Sequence, residues 1–382
     1  MSLSGIVDVI EIAQALVRIP SVNQAYDPES PGEGAVVNWL EDWGRSQGLE
    51  PIRQPCLEAR DNINFTIRNG DGPHLLFNGH TDTVSIAGMT IDPFSGDIRD
   101  GCLWGRGATD MKGPLAGMLY TLLCLRERDD WQGALTVSCV VDEEYKYRGI
   151  LSLLDANDPW DFAVVGEPTA MEVVRGCKGS CRFTVHTEGI SAHSSEPTKG
   201  ANAIVGMARA IPAIADFLEA DLAQFTCNGF GPSTGSIGLI EGGSGINIVP
   251  ERCAISIDIR TVPGQDWRTT FTNLESHVRA QCDDLGDVKL IFDEPSHFSP
   301  SFETPAEHSL VQTTCEVLGD TKTGIVPFGC DGSKIAARDI PTIVLGPGDI
   351  AQAHTKDERI TLENLEDGAD AYEKLAVELL AK

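Results

Sequence analysis

Three continuously apolar runs mark the first half of the chain: Leu75–Phe77, Leu135–Val141 and Phe162–Val165, with a strand-like Asn62–Arg68 beside them. Runs this short and this uniformly apolar predict strands covered on both faces. Helical periodicity fills the spaces between, over Val7–Arg18, Ala35–Gln47 and Gly113–Leu125 leading into Arg126. Strand and helix in alternation predict an α/β domain, with a mixed, mostly parallel sheet flanked by helices.

After about Cys177 the pattern changes. Cys181–Gly189 alternates with period two, and Ala201–Ala220 reads as a helix interrupted near Pro212. Ser233–Gly243 and Ile246–Arg260 read as strands joined by a Gly-rich turn. In the second, Cys253, Ile255, Ile257 and Ile259 face one way, and Ala254, Ser256, Asp258 and Arg260 the other. A helix over Trp267–Cys282 and a strand over Val288–Asp293 follow. The order β-α-β-β-α-β predicts a ferredoxin-like α+β module, a small antiparallel sheet with two helices on one face. From about Glu294 the α/β character returns, with a helix around Ser309–Leu318, a buried strand Thr342–Leu345 and a final helix Leu362–Leu380. The expected organisation is therefore one domain, residues 1–177 and 294–382, split by a second, residues 178–293. Neither internal repeats nor low-complexity segments interrupt this plan.

Composition narrows the function. A chain of 382 residues suits two or three domains at about 150 residues each. No apolar run approaches the roughly 20 residues that cross a bilayer. The N-terminus, with Asp8 and Glu11 among its apolar residues, reads as an amphipathic helix without the basic start of a signal peptide. The net charge of -28 argues against nucleic acid and anionic membranes as partners; it mildly favours cationic ligands, but a solvated acidic surface accounts for it more readily. Eleven scattered cysteines without a CxxC pair predict a reducing, cytoplasmic setting and no disulfide framework.

Five residues of metal-ligating type, His80, Asp110, Glu144, Glu167 and His354, stand in turn-like settings, four of them after apolar runs. Ligands of open α/β sheets gather at the carboxyl ends of strands. Two His and three carboxylates exceed what one metal needs and suit two. Asp82 lies close enough to accept the second N–H of a ligating His80, which fixes the tautomer. In the acid triplet Asp142-Glu143-Glu144, adjacent residues point apart, so Glu144 can ligate while Glu143 takes a proton from water. Such a cluster after a buried strand is costly unless paired or metal-bound. Each position has an ordinary alternative when taken singly. His80 could be a turn His, Asp110 a helix N-cap, the acid triplet a solvated loop, and His354 a background His like His74, His186, His277, His297 and His308.

Taken together, GHTDT, GRGATDMKG, VDEEY, GEPT and GPGDIAQAH resemble, in this order, the zinc metallohydrolases that include acetylornithine deacetylase and succinyl-diaminopimelate desuccinylase. Aminoacylases and dinuclear-zinc carboxypeptidases are relatives. The resemblance runs over nearly the whole chain and implies a site for two divalent ions, zinc with cobalt as the alternative. It implies that His80 with Glu167 holds one ion, Glu144 with His354 the other, and Asp110 both. Asp82 would orient His80, and Glu143 would be the general acid/base that shuttles a proton from the attacking water to the leaving amine. The inserted module would be a lid and dimerisation domain. There His193, in GISAHSSEPTKG, would steady the oxyanion, and Asn247 and Arg260 would hold a substrate carboxylate.

Departures bear on the substrate. Arg175–Cys181 and Pro327–Ile335 fit neither the deacetylase nor the desuccinylase form, while LGPGDIAQAH looks more like the deacetylase. The expected activity is removal of an N-acyl group from an amino acid, with a short peptide as the alternative substrate on the same residues. A binding protein that kept the fold and lost catalysis should lack the base or a ligand, and here all six residues are intact.

Overall fold

The computed structural model describes residues 7–156, 159–282 and 284–381, so the six residues ahead of the expected Val7–Arg18 helix lie outside them. The chain divides into two compact units. One comprises Met1–Gly176, Glu303–Gly324 and Cys330–Lys382, the other Cys177–Phe302 and Ile325–Gly329.

The first unit is built on a nine-stranded mixed sheet. Its spatial order is Pro51–Leu57, Arg60–Asn69, Gly133–Val140, His74–His80, Phe162–Val165, Thr342–Val344, Val173–Cys177 and Phe302–Glu303, with Thr323–Val326 also paired to Val173–Cys177. Gly133–Val140 and His74–His80 are buried at every residue, as their unbroken apolarity requires. Helices cover the sheet. Lys112–Arg126 packs between Val9–Val17 and Leu362–Leu379, and Tyr372 of the last lays its ring 5.4 Å from Phe77 and donates to the Leu345 carbonyl at 2.7 Å. Side-chain caps set helix starts at Asp8, which accepts from Ile10 N, and at Thr361, which accepts from Asn364 N.

The centre of this sheet decides where chemistry can occur. Gly133–Val140, His74–His80, Phe162–Val165 and Thr342–Val344 are spatial neighbours, and every pairing among them is parallel. Their four carboxyl ends therefore open on one edge. The residues that follow them, His80 itself, Asp142–Glu144, Glu167 and the Gly346–His354 segment, are delivered there by topology.

The second unit is an antiparallel sheet in the order Thr234–Gly242, Arg252–Arg260, Ser180–Glu188, Lys289–Phe292, and helices Ala203–Asp216 and Trp267–Gln281 pack with it. Its core joins Phe183, Val185, Ile255 and Ile257 to Met207, Ala210, Phe271 and Leu274. The alternation in Arg252–Arg260 holds, with the odd-numbered residues from Cys253 to Ile259 buried. This is the β-α-β-β-α-β arrangement.

Several local expectations fail for physical reasons. Pro212 does not interrupt its helix, because Ala203–Asp216 passes through it, losing one N–H while Met207, Ala210, Ala213 and Ile214 stay buried. Ile246–Arg260 is not one strand, since Pro250 cannot donate to a ladder. Ile248–Val249 pairs instead with Ala192–His193, and Arg252–Arg260 belongs to the main sheet. Strand His297–Ser299 adds to Ser180–Glu188, which carries the second unit on to Phe302. Three-residue strands Asp97–Arg99, Cys102–Trp104 and Arg359–Thr361 form a further small sheet too short to show a period. All eleven cysteines are free thiols. Among the described residues no helix is long and apolar enough to cross a membrane.

Pro212→Ala restores the missing donor to the carbonyl of Ala208. The expected gain is about 1–2 kcal/mol, after allowing for the looser unfolded chain. An unshifted urea midpoint would show that the helix tolerates Pro212 without cost.

Candidate metal centre

His80 ends its strand fully buried, and its ring is fixed from both sides. Nδ1 lies 2.9 Å from the Asp82 carbonyl, and Nε2 lies 3.1 Å from Asp110 Oδ1. A carbonyl only accepts, so Nδ1 carries a proton; Nε2 donates to the Asp110 carboxylate here and would present its lone pair to an ion that displaced that proton. The Asp82 carboxylate stands 3.6 Å from Nδ1, and its two oxygens accept from the main-chain N–H groups of Glu143 and Glu144, each at 3.1 Å. Asp82 holds His80 through its backbone and the acid triplet through its side chain.

Asp110 divides its carboxylate between the two histidines. Oδ1 faces His80, and Oδ2 lies 3.1 Å from His354 Nε2. His354 Nε2 in turn lies 3.2 Å from Glu144 Oε1. The helix after Asp110 begins at Lys112 and receives no side-chain cap, which removes the capping alternative for Asp110. The peptide bond Asp110–Met111 is cis. The turn is held from below by Glu358, whose Oε1 accepts from Thr109 N and Asp110 N at 3.0 Å each, while Oε2 pairs with Arg106 at 2.6 Å.

Glu167 brings Oε2 to 3.9 Å from His80 Nε2, and its Oε1 is buried with no hydrogen-bond partner among the described residues. Glu143 is buried too, which removes the solvated-loop alternative for the triplet. Ligand atoms of His80, Asp110 and Glu144 lie within 4.8 Å of one another, and so do those of His80, Glu143 and Glu167. The structure thus brings together His80, Asp110, Glu143, Glu144, Glu167 and His354.

Charge explains the electrostatics. Burial opposes ionisation of Asp110, but hydrogen bonds from His354 and His80 overcome it and hold the carboxyl well below its ordinary range. The Asp110 and Glu144 hydrogen bonds lift His354 to about 10. Burial and the facing Glu167 push Glu143 well above the usual carboxylate range, and burial does the same to Glu167. Glu144 rises to about 6, by burial and then by Asp110.

The three candidates of the second unit stand as follows. The strand pairing of Ala192–His193 with Ile248–Val249 brings His193 beside Asn247, and Ser194 N donates to the Asn247 carbonyl at 3.0 Å. His193 is exposed, and its Nδ1 accepts from Ser195 N at 3.2 Å. Arg260 is partly exposed and pairs with Asp258 at 2.9 Å. Of the background histidines, His74 bonds Thr136 and His308 caps its helix.

Residues 76–378 match peptidase family M20/M25/M40. The chain belongs to that family. It is accordingly a hydrolase of amide bonds. Solved structures share its fold. A tripeptidase of Staphylococcus aureus subsp. aureus Mu50 is 23% identical with a TM-score of 0.79, over 98% of this chain and 100% of that one. An M20 metallo-carboxypeptidase of Sulfolobus solfataricus is 17% identical with a TM-score of 0.78, over 97% and 99%. A dinuclear metal-binding M20 peptidase of Bacillus subtilis is 15% identical with a TM-score of 0.73, over 97% of each chain. The donor set of this M20 chain fits divalent metal ions. It offers imidazole nitrogens and carboxylate oxygens in a largely buried cluster, and the buried Glu167 Oε1 has no hydrogen-bond partner among the described residues.

Sequence reasoning missed two buried acids of this M20 site. Glu358 lies four residues after His354, and that spacing was its only signal. Asp331 sits in the Pro327–Ile335 segment that fits neither subfamily. It accepts from Asn78 Nδ2 at 2.8 Å, two residues before His80. Burial raises Asp331 from 3.8 to about 7, against the Asn78 hydrogen bond and His80. Between those values the folded protein keeps a proton that the unfolded chain releases, so Asp331 makes stability fall as pH rises from about 4 to about 7. Asp331→Asn removes this titration. Chelator-treated Asp331→Asn should lose less stability than wild type across that interval in urea unfolding, whereas equal losses would show Asp331 ionised throughout.

Proposed function

We propose that this chain is a dinuclear-metal amide hydrolase that removes an N-acyl group from an amino acid, in the manner of acetylornithine deacetylase. The observation that carries the reading is the split of Asp110 between His80 and His354, with Glu143 buried beside Glu167 and His80. Asp110 would bridge two ions, His80 and Glu167 completing one side, Glu144 and His354 the other. Zinc is the proposed metal, with cobalt the alternative. Such ions, when bound, supply Lewis acidity that lowers the pKa of water toward about 7 and polarises the amide carbonyl.

The chain's own residues do the rest. Glu143 takes a proton from the attacking water and delivers it to the leaving amine nitrogen, its carboxyl exchanging one proton per turnover. Burial keeps bulk water from competing for that proton. In the second unit, read as a lid and dimerisation domain, His193 would stabilise the oxyanion across a homodimer interface, and Asn247 and Arg260 would hold the substrate carboxylate. Free cysteines and the acidic surface support a cytoplasmic protein.

A second reading, cleavage of short peptides, is favoured by the fold neighbours described as a tripeptidase and a metallo-carboxypeptidase. Amine release from a panel separates the two. The panel holds N-acetylornithine, N-acetylcitrulline, N-succinyl-diaminopimelate, other N-acetyl amino acids and several dipeptides, after loading with Zn²⁺ or Co²⁺. Chelator-sensitive turnover of one N-acyl amino acid is expected, and turnover of dipeptides alone would move the protein to the peptidase reading. Glu143→Gln should lower kcat by about 10²–10⁴ with metal content unchanged; undiminished turnover would remove Glu143 as the base.

A further inference from the structure

Three consecutive main-chain N–H groups in the acid triplet donate to buried carboxylates from other elements. Asp142 N reaches Glu33 Oε1, Glu143 N reaches Asp82 Oδ1, and Glu144 N reaches Asp82 Oδ2, each at 3.1 Å. Glu33 precedes the helix Gly34–Ser46, and Asp82 follows the strand His74–His80. The two anchors are joined by polar side chains. Arg60 clasps Glu33 through Nε at 2.5 Å and Nη2 at 2.7 Å, and the same Nη2 reaches Asp142 Oδ1 at 3.2 Å. Asn23 Nδ2 bridges Asp82 at 2.7 Å and Asp142 at 3.1 Å. Arg148 adds two bonds to Asp142, at 2.5 and 2.9 Å, from a side chain that is 40% exposed.

Glu33, Asp82, Asp142 and Asn23 are fully buried, and the Arg60 side chain is only 5% exposed. Asp142 holds a left-handed backbone with φ 65°. An L-residue with a side chain keeps such a conformation only where its surroundings impose it. Without Arg60, the Glu33 and Asp142 carboxylates would face each other in a dry space with the half-exposed Arg148 as the remaining cation. The turn would then relax, and Glu143 and Glu144 with it.

We propose that Arg60 is a positioning residue for Glu143. It fixes Glu33 against Asp142, so that the triplet's N–H groups meet their acceptors and Glu143 leaves the turn toward the reacting centre. This rests on the reading of Glu143 as the general base. Lysine cannot reproduce the forked contact to one carboxylate together with a bond to a second.

The test uses the full chain loaded with Zn²⁺ and the amide substrate that wild type hydrolyses fastest. Arg60→Met and Arg60→Lys are made alone and on the Glu143→Gln background. Arg60→Met should lower kcat by about 10–100-fold, the scale of a roughly 1 Å misplacement, with KM within about threefold and metal content unchanged. Arg60→Lys should recover part of that loss. On the Glu143→Gln background Arg60→Met should cost less than about threefold more, because both changes act on one group. A folded, metal-loaded Arg60→Met with kcat within about threefold of wild type, or the same loss on both backgrounds, overturns the proposal. If Arg60→Met does not fold, Asn23→Ala takes its place with the same expectations and the same grounds for rejection. Undiminished kcat in Glu143→Gln removes the general-base reading and this proposal with it. A normal Arg60→Met beside a crippled Glu143→Gln removes this proposal alone.

Discussion

Carboxylates cannot crowd into a dry space without positive charge or hydrogen-bond donors to meet them. Asp82, Asp110, Asp142, Glu143, Glu167, Asp331 and Glu358 are all buried in the first unit. The protein satisfies most of them from its own groups. Glu358 has Arg106 and two main-chain N–H groups, Asp82 has two N–H groups and Asn23, and Asp142 has two guanidinium groups and Asn23. Asp110 is served by two histidines. Glu143, Glu167 and Asp331 are the exceptions: Asp331 has Asn78 on one oxygen only, and the carboxyls of Glu143 and Glu167 are driven furthest from the ordinary range. The imbalance is local, and a divalent cation is the group that would correct it. The charge left over after the scaffold has been satisfied is what the proposed ligation and proton transfer would use.

Parallel topology makes this crowding possible. Four neighbouring strands end on one edge, so residues from His80 to His354 meet although most of the chain lies between two of them. The loops beyond the strands are bent sharply to turn single side chains inward. Asp142, Tyr147 and His354 all take left-handed backbone conformations, with φ between 58° and 65°. Residues in this region carry strain that the surrounding contacts must sustain. The acid triplet shows how: its N–H groups are held by Glu33 and Asp82, and those carboxylates are fixed in turn by Arg60 and Asn23.

Local periodicity made the strands and the candidate ligands at their ends legible in the sequence. An apolar run read as a buried strand predicts where its carboxyl end falls, and the polar residue just beyond becomes a candidate without further knowledge. His80, Glu144 and Glu167 were visible for that reason, and Asp110 and His354 through their glycine-rich turns. What stayed hidden depends on distant partners. Glu358 supports Asp110 from 248 residues away, and Asp331 meets Asn78 across 253. No local pattern encodes such a pairing. The Asp82 carboxylate shows the same limit: its proximity to His80 in sequence said nothing of the Glu143 and Glu144 N–H groups that its oxygens also accept. Pro212 was misread because a propensity rule weighs one residue, whereas the buried face of a whole helix outweighs it.

Reaction type and substrate choice draw on different parts of this arrangement. The charge at the edge of the first unit suits cations and, on the proposed reading, proton transfer whichever amide is cleaved. In the proposed function, recognition by the second unit would be an exchange. Arg260 already has Asp258 at 2.9 Å, so a substrate carboxylate there must compete with an existing ion pair, and its affinity is the difference between the two. His193 faces no such competition at Nε2. Its Nδ1 accepts from Ser195 N, so the neutral ring carries its proton on Nε2, the form that donates to a developing oxyanion. On the proposed reading, selectivity among N-acyl amino acids and peptides would turn on how well each displaces Asp258 from Arg260.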